Sequence, residues 1–281
     1  MRQPAGSVAV PAHNEETVIG DCLHALFDAV GPDVFEVAVV CNGCTDRTAD
    51  VVRGIGLPVQ VIELEHASKP LALRAADRVL RHYPRLYLDA DVAVSGRSVL
   101  ATFDRLGQGD VLAARPPIEY DTRRSTAVVQ RYYRARTHLP AVLGSLWGAG
   151  AYALSFEGRA RFDEYPDVVA EDLFVDRLFK ADEIAIVDCD PVRVTVPRAT
   201  GDLMRITGRA YRGDDATQPT CRADWGHTTT QRTVRDLLRS VSTTSAALDA
   251  GVYAFVASAS RVRARHHPTT VWERDDSSRQ R

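Results

Sequence analysis

The chain has 281 residues with 37 acidic and 35 basic side chains, a net charge of −2, so no global field marks nucleic acid or an acidic surface as its main partner. With 45% hydrophobic and 26% charged residues it has enough apolar material for one large domain, or one domain with an appendage. Five cysteines, an odd number, argue for a reduced, cytoplasmic setting rather than a disulfide scaffold. Residues 1–16 lack the apolar run of a signal peptide, and no stretch reaches the roughly 18 apolar residues that span a bilayer.

In chain order, residues 7–11 read as a buried strand and residues 15–30 as a helix. Val18, Ile19, Cys22, Leu23, Leu26, Phe27 and Val30 form its apolar face, with Asn14 as the expected N-cap. Strands are expected at 35–40, 59–64 and 85–88, with helices at 45–53, 69–82 and 98–106 and a strand at 110–114. Such alternation predicts a mostly parallel sheet covered on both faces, with ligands outside the strand C-termini. Beyond it, helices are expected at 125–137 and 171–180, and strands at 148–155, 184–187 and 192–196. Residues 198–227 read as an irregular loop with a short helix. Residues 228–262 read as one long helix whose stripe Val234, Leu238, Val241, Ser245, Leu248, Val252, Phe255 and Ala259 packs on the parent domain or on a partner helix.

The sharpest chemical signal is Tyr87-Leu88-Asp89-Ala90-Asp91, an apolar strand running into two carboxylates one residue apart. In extended backbone the two would share a face, and like charges side by side call for a cation or donors between them. Magnesium or manganese suits such hard oxygen ligands, with water and phosphate oxygens filling the other positions. Polar strand ends at residues 11–16 and 41–46 add hydrogen-bonding groups just before helices, the makings of a nucleotide cradle. The single Cys41-x-x-Cys44, with no second pair, reads better as the filling of a tight turn than as a metal or redox site.

These motifs together resemble family 2 glycosyltransferases of the GT-A fold. Pro11, Asn14 and Glu15 match a Pro-x-x-Asn-Glu motif, residues 41–48 loosely match the acidic loop after strand two, and residues 69–73 echo a Lys-Gly helix start. Asp89 and Asp91 match the Asp-x-Asp, and Glu171-Asp172 the acidic pair that opens a later helix. The resemblance implies an α/β GT-A (Rossmann-like) domain over residues 1–227, followed by a C-terminal helical extension and charged tail over 228–281. It implies an inverting, single-addition transfer from a UDP- or GDP-sugar to a hydroxyl of a small molecule, glycan or lipid-linked acceptor. Pro11, His13, Glu15, Asn42 and Asp46 would surround the base and ribose, with Lys69 close to the nucleotide. Asp89 would contact the ribose or the metal shell, Asp91 would ligate Mn2+ or Mg2+, and His227 would complete that site. Asp172 would be the base, with Glu171 orienting it, and Arg205 and Arg209 would hold the diphosphate. Residues 148–152 would form a strand beside the acceptor pocket.

Cys41 and Asn42 stand where carboxylates are usual, and Pro70 where glycine is usual. The Gln-x-x-Arg-Trp motif of processive synthases is missing. A sugar nucleotidyltransferase would want a Gly-rich loop after strand one, where this chain has Pro11-Ala12-His13-Asn14. A non-catalytic nucleotide-binding relative is the other alternative. The C-terminal helix is read as packing on its own domain or on a second copy in a homodimer, with docking at a membrane as the alternative.

Overall fold

The computed structural model describes residues 3–168, 170–217 and 230–266. In chain order the elements are β1 (Gly6–Ala12), α1 (Ile19–Phe27), β2 (Phe35–Asn42), α2 (Thr48–Gly54), β3 (Val59–Leu64), α3 (Lys69–Val79) and β4 (Arg85–Leu88). Next come α4 (Gly96–Gly107), β5 (Ala113–Arg115), β6 (Ile118–Asp121), α5 (Ala127–Arg136), α6 (Pro140–Leu143), β7 (Ala151–Leu154) and α7 (Phe156–Arg159). The chain continues through α8 (Glu171–Asp176), β8 (Ile184–Ile186), β9 (Val192–Thr195), α9 (Thr200–Thr217), α10 (Thr230–Ser240) and α11 (Thr244–His266).

The chain divides into two compact units. The first comprises residues 1–119, 146–167 and 179–194, and the second residues 120–145, 168–178 and 195–281.

The first unit is built on a seven-stranded sheet of order β3-β2-β1-β4-β7-β5-β8. β1 pairs in parallel with β2 and β4, and β2 with β3, whereas β7 runs antiparallel between β4 and β5. Every residue of β1 is buried, as a central strand covered on both faces requires. Ile19, Leu23 and Leu26 of α1 lie against Val8, Val10, Val37 and Val39 in one core. Under α3, Asp77 accepts from Arg85 at 2.6 Å, from Tyr87 Oη at 2.8 Å and from Arg159 Nε at 2.9 Å, which satisfies a largely buried guanidinium pair.

The second unit packs α5, α9 and α11 together. Tyr132 of α5 stacks on Tyr253 of α11, with centroids 4.8 Å apart. Arg131 and Arg134 both donate to the buried Asp249 carboxylate, at 2.8 and 2.9 Å.

Four local expectations are corrected. Asn14 is not a helix cap: α1 starts at Ile19, and Asn14 adopts the left-handed conformation, φ 54°. Residues 218–227 lie outside the described residues, and residues 200–217 form an 18-residue helix where an irregular loop with a short helix was expected over 198–227. Leu203 is buried there, and Thr207 returns its hydroxyl to the Leu203 carbonyl at 2.8 Å, so packing outweighs the scattered Gly and Arg. The long helix at 228–262 is two helices. Ser240 Oγ donates to Leu237 O at 2.7 Å, and Thr243 Oγ1 accepts from Ala246 N–H at 3.1 Å, so local side-chain bonds end one helix and cap the next. Finally, Asp89 to Val92 form a turn closed by a 3.1 Å bond from Val92 N–H to Asp89 O, so the Asp-x-Asp is not extended strand.

Candidate active site

In the first unit the C-termini of β1, β2 and β4 end side by side, and the chain leaving each one is tied to its neighbours. Asn14 Oδ1 accepts from the backbone N–H of Thr45 at 2.7 Å and of Asp46 at 3.3 Å. The backbone N–H of Glu15 donates to Thr48 Oγ1 at 2.7 Å, and that of Glu16 to Asp46 Oδ2 at 3.2 Å. Asp46 Oδ1 in turn accepts from Thr48 N–H at 3.0 Å, which suits a carboxylate at a helix N-terminus. The loops after β1 and β2 therefore form one hydrogen-bonded ledge.

His13 Nδ1 donates to the Asn42 carbonyl at 2.6 Å. The Asn42 side chain, itself buried, points into the protein: Nδ2 donates to Ala12 O at 2.9 Å and Val40 O at 3.4 Å, and Oδ1 accepts from Ser68 N–H at 3.0 Å. Gly43 closes the turn at φ +57°, where a Cβ would stand 2.5 Å from Ala67 N. Ser68 caps α3, and Pro70 occupies the first turn of α3, a position proline favours. Lys69, the first residue of α3, sends Nζ to Asp89 Oδ1 at 2.5 Å.

Asp89 N–H donates to Gly150 O at 2.8 Å. Gly150, at φ +65°, lies so close that a Cβ would meet Val92 Cγ2 at 2.6 Å and Asp89 Oδ2 at 3.2 Å. Asp91 is exposed at the turn. Beneath the turn, burial pushes the Cys22 thiol far up, and the carboxylates of Asp91, Asp89 and Glu15 push it further. Asp91, Asp89 and Glu15 thus lie near the Cys22 thiol, and Lys69 supplies a cation to Asp89. Asp89 and Asp91 fit a divalent ion as a partial set of hard oxygen ligands, leaving positions for diphosphate oxygens and water. Among the described residues no group of three or more His, Cys, Asp or Glu side chains forms a metal cage.

Cys44 Sγ accepts from Asn14 N–H at 3.4 Å. A hydrogen bond from Cys41 lowers the Cys44 thiol to about 6 against the opposing effect of burial, with help from Asn14 and Thr48. Cys41 is a buried residue of β2, and Cys44 lies in the loop that follows it.

The structure therefore brings His13, Glu15, Asn42, Asp46, Lys69, Asp89 and Asp91 to neighbouring loops of the first unit, with Pro11 buried at the end of β1. Of these, Asn42 and Asp46 spend their polar atoms on backbone and hydroxyl partners within the ledge. The sequence did not single out Ser68 or Thr48 as the partners that lock the ledge, nor Gly150 as the neighbour of Asp89; the glycines flanking Ala149 are the one trace of the latter.

In the second unit, Glu171 and Asp172 open α8. Glu171 is buried, and Asp172 Oδ1 accepts from Leu173 N–H at 2.8 Å. Arg205 on α9 is exposed and pairs with Asp202 one turn earlier. Arg209 also belongs to α9, and His227 lies outside the described residues.

A family model described as Glycosyl transferase family 2 matches residues 7–149, which include every loop of this ledge. The chain is a family 2 glycosyltransferase. It is an enzyme that transfers a sugar from a nucleotide-sugar donor. Solved structures share its GT-A architecture. The Pyrobaculum calidifontis mannosyltransferase PcManGT, in complex with GDP-Man and Mn2+, matches with a TM-score of 0.65 at 18% identity, over 94% of this chain and 88% of its own. S. aureus TarS matches at 0.54 and 14% identity, over 92% and 91%. Glucosyl-3-phosphoglycerate synthase from Mycobacterium tuberculosis, in complex with Mn2+, UDP and glucosyl-3-phosphoglycerate, matches at 0.54 and 21%, over 80% and 81%. No curated protein sequence matches this glycosyltransferase. Among the described residues no helix is long and apolar enough to cross a membrane.

Proposed function

We propose that this glycosyltransferase adds one sugar, with inversion at the anomeric carbon, from a UDP- or GDP-sugar to an acceptor hydroxyl, and that it needs a divalent ion. The observation that carries this reading is the Lys69–Asp89 pair at the head of the ledge, with Asp91 exposed beside it. The ledge offers the donor nucleotide the edge of His13, whereas the Glu15 side chain is buried. Lys69, one covalent step from a helix N-terminus, offers an ammonium to the diphosphate.

Bound Mn2+ or Mg2+, held by Asp91 with Asp89, would neutralise the charge that builds on the departing diphosphate. The hydroxyl that attacks is a weak nucleophile near neutral pH, so a carboxylate must take its proton as the new bond forms. Asp172 is the residue proposed for that role, on the family resemblance of the Glu171-Asp172 pair. Glu171, buried at the start of α8, would fix its orientation. Arg205 and Arg209 are proposed to steady the diphosphate, and His227 to add a metal ligand. The solved relatives bear both GDP-Man and UDP in their complexes, which leaves both bases as donors to try.

Calorimetry with UDP and GDP, with and without Mn2+, and a donor-turnover assay test the reading. Asp91→Ala should abolish the metal-dependent part of nucleotide binding. Asp172→Asn should keep nucleotide binding and lose transfer by at least about a thousandfold. Full transfer by Asp172→Asn would remove the base assignment. Nucleotide binding without any turnover of UDP- or GDP-sugars would favour a non-catalytic relative.

A further inference from the structure

The apolar stripe that the sequence places along the C-terminal helices is not the face the fold buries. The buried side of α11 is Asp249, Tyr253, Val256, Ala257, Ser260 and Ala264. At about 100° per residue, Leu248, Phe255 and Val262 fall on the opposite side, seven residues apart and therefore in line. They are 53%, 65% and 55% exposed. Val234 and Leu238 on α10, with Val241 just past its end, form a second short line, exposed by 47%, 69% and 38%. α11 is thus apolar on two opposite faces, and only one has a protein partner among the described residues.

The charge of this segment is mainly positive. Residues 230–266 hold six arginines (232, 235, 239, 261, 263 and 265) and two acids, Asp236 and Asp249. Asp249 is buried and already bound by Arg131 and Arg134, so it offers nothing to the surface. On the outer side of α11, Ala247, Gly251, Ala254 and Ser258 lie between the large apolar residues and carry no charge. Arg263 is exposed at the end of the stripe, and Arg235 and Arg239 flank the line on α10.

We propose that the outer face of α10 and α11 docks this enzyme on an anionic lipid surface. An apolar line bordered by arginines and lacking exposed acid on α11 matches acyl chains below and phosphate headgroups above. Guanidinium groups can bind phosphate oxygens in a bidentate way, and their stems extend along the apolar boundary. A second copy of the chain fits less well. Six side chains about half exposed give on the order of 500 Å² of apolar surface, at the upper end for a monomer and short of the ~800 Å² per partner of a standard interface. Pairing two such faces would also set arginines near arginines, with Asp236 the one carboxylate of residues 230–266 that is not buried. The proposal is independent of the donor-site assignments.

Flotation of the full chain with phosphatidylcholine vesicles, with and without phosphatidylglycerol, tests it. The expected result is binding to the phosphatidylglycerol vesicles, about tenfold weaker binding to phosphatidylcholine alone, and loss in high salt. The double variant Leu248→Ser/Phe255→Ser should lose binding by about tenfold or more, with thermal melting and calorimetric UDP or GDP binding unchanged. The charge variant Arg235→Gln/Arg239→Gln/Arg263→Gln should lose the preference for phosphatidylglycerol. Equal vesicle binding by parent and variants, or no binding to either vesicle, overturns the proposal. So does a concentration-dependent dimer in light scattering that Leu248→Ser/Phe255→Ser dissolves, which would give the face to a second copy.

Discussion

Lys69 Nζ lies 2.5 Å from Asp89 Oδ1, joining the first residue of α3 to the first residue after β4. The pair keeps one cation beside a group of carboxylates and holds the mouth of α3 against the end of the central sheet. Its side chains are 26% and 35% exposed, so the pair adds little to stability. Lys69→Met should therefore change unfolding free energy by less than about 1 kcal/mol. It should weaken UDP or GDP binding about tenfold by removing the charge proposed to face the diphosphate. Calorimetry alongside chemical denaturation separates the two effects. Unchanged nucleotide binding would reduce Lys69 to a strut.

Asn42 is the second test of the ledge, because its amide group performs a task a carboxylate cannot. Nδ2 donates to the carbonyls of Ala12 and Val40 while Oδ1 accepts from Ser68 N–H. An aspartate would keep the last bond, lose both donations, and face two carbonyl oxygens as a buried anion. Asn42→Asp should cost about 2–4 kcal/mol in unfolding free energy. It should loosen the start of α3, measurable as faster amide exchange at residues 68–72. The substitution restores the residue type usual in the family, so tolerance of it would mean that the ledge reorganises around a charge.

Much of this site was legible in the sequence. β3 and β4 fall at the residues predicted, 59–64 and 85–88; β4 is a fully buried strand, whereas β3 is an edge strand with no buried residue. The carboxylates at 89 and 91 were visible as residue types at an element end, and Asp172 of the second unit as a residue type opening a helix. Which way a polar side chain points was not visible. Asn14 and Asn42 both look like donor contacts or caps by type, yet Asn14 organises the 45–46 backbone and Asn42 ties β1, β2 and α3 together. Those bonds join residues about 30 positions apart, and no local pattern encodes them. The break at 241–243 depends on Ser240 and Thr243 hydroxyls competing with backbone, a balance that periodicity alone does not register. The stripe on α10 and α11 was expected to pack on the parent domain or on a partner helix; its large residues are exposed, and α11 packs on α5 and α9 through its other face. A hydrophobic period shows that a face is apolar but not what covers it.

Gly150 offers a probe of Asp89 that leaves the carboxylate in place. Alanine there meets Val92 Cγ2 at 2.6 Å and Asp89 Oδ2 at 3.2 Å, and must hold φ +65°. Gly109 is the control, since it has φ +81° and a Cβ there would find nothing within 4 Å. Both Gly150→Ala and Gly109→Ala should lose about 1–2 kcal/mol from left-handed strain. Only Gly150→Ala should also displace Asp89 and slow sugar transfer, by about tenfold or more. Equal activity in the two variants would separate the position of Asp89 from catalysis.

Acid stability should depend on a carboxylate far from the ledge. Glu183 accepts from Arg161 at 2.9 Å and from Lys180 N–H at 2.8 Å. The Arg161 hydrogen bonds come first in lowering its carboxyl to about 2, against a smaller upward push from burial, with the Lys180 N–H assisting. The folded state therefore holds the carboxylate more tightly than the unfolded chain, whose glutamate titrates near 4.5. That stabilisation is fully present above about pH 4.5 and is lost as pH falls from there through about 2. Both side chains keep some solvent, so Glu183→Gln should cost about 1 kcal/mol at neutral pH. The difference from the parent should shrink as the pH is lowered through 4 towards 2. Urea unfolding of parent and variant across that range measures it, and a cost that stays constant with pH would mean the residue acts through packing instead of charge.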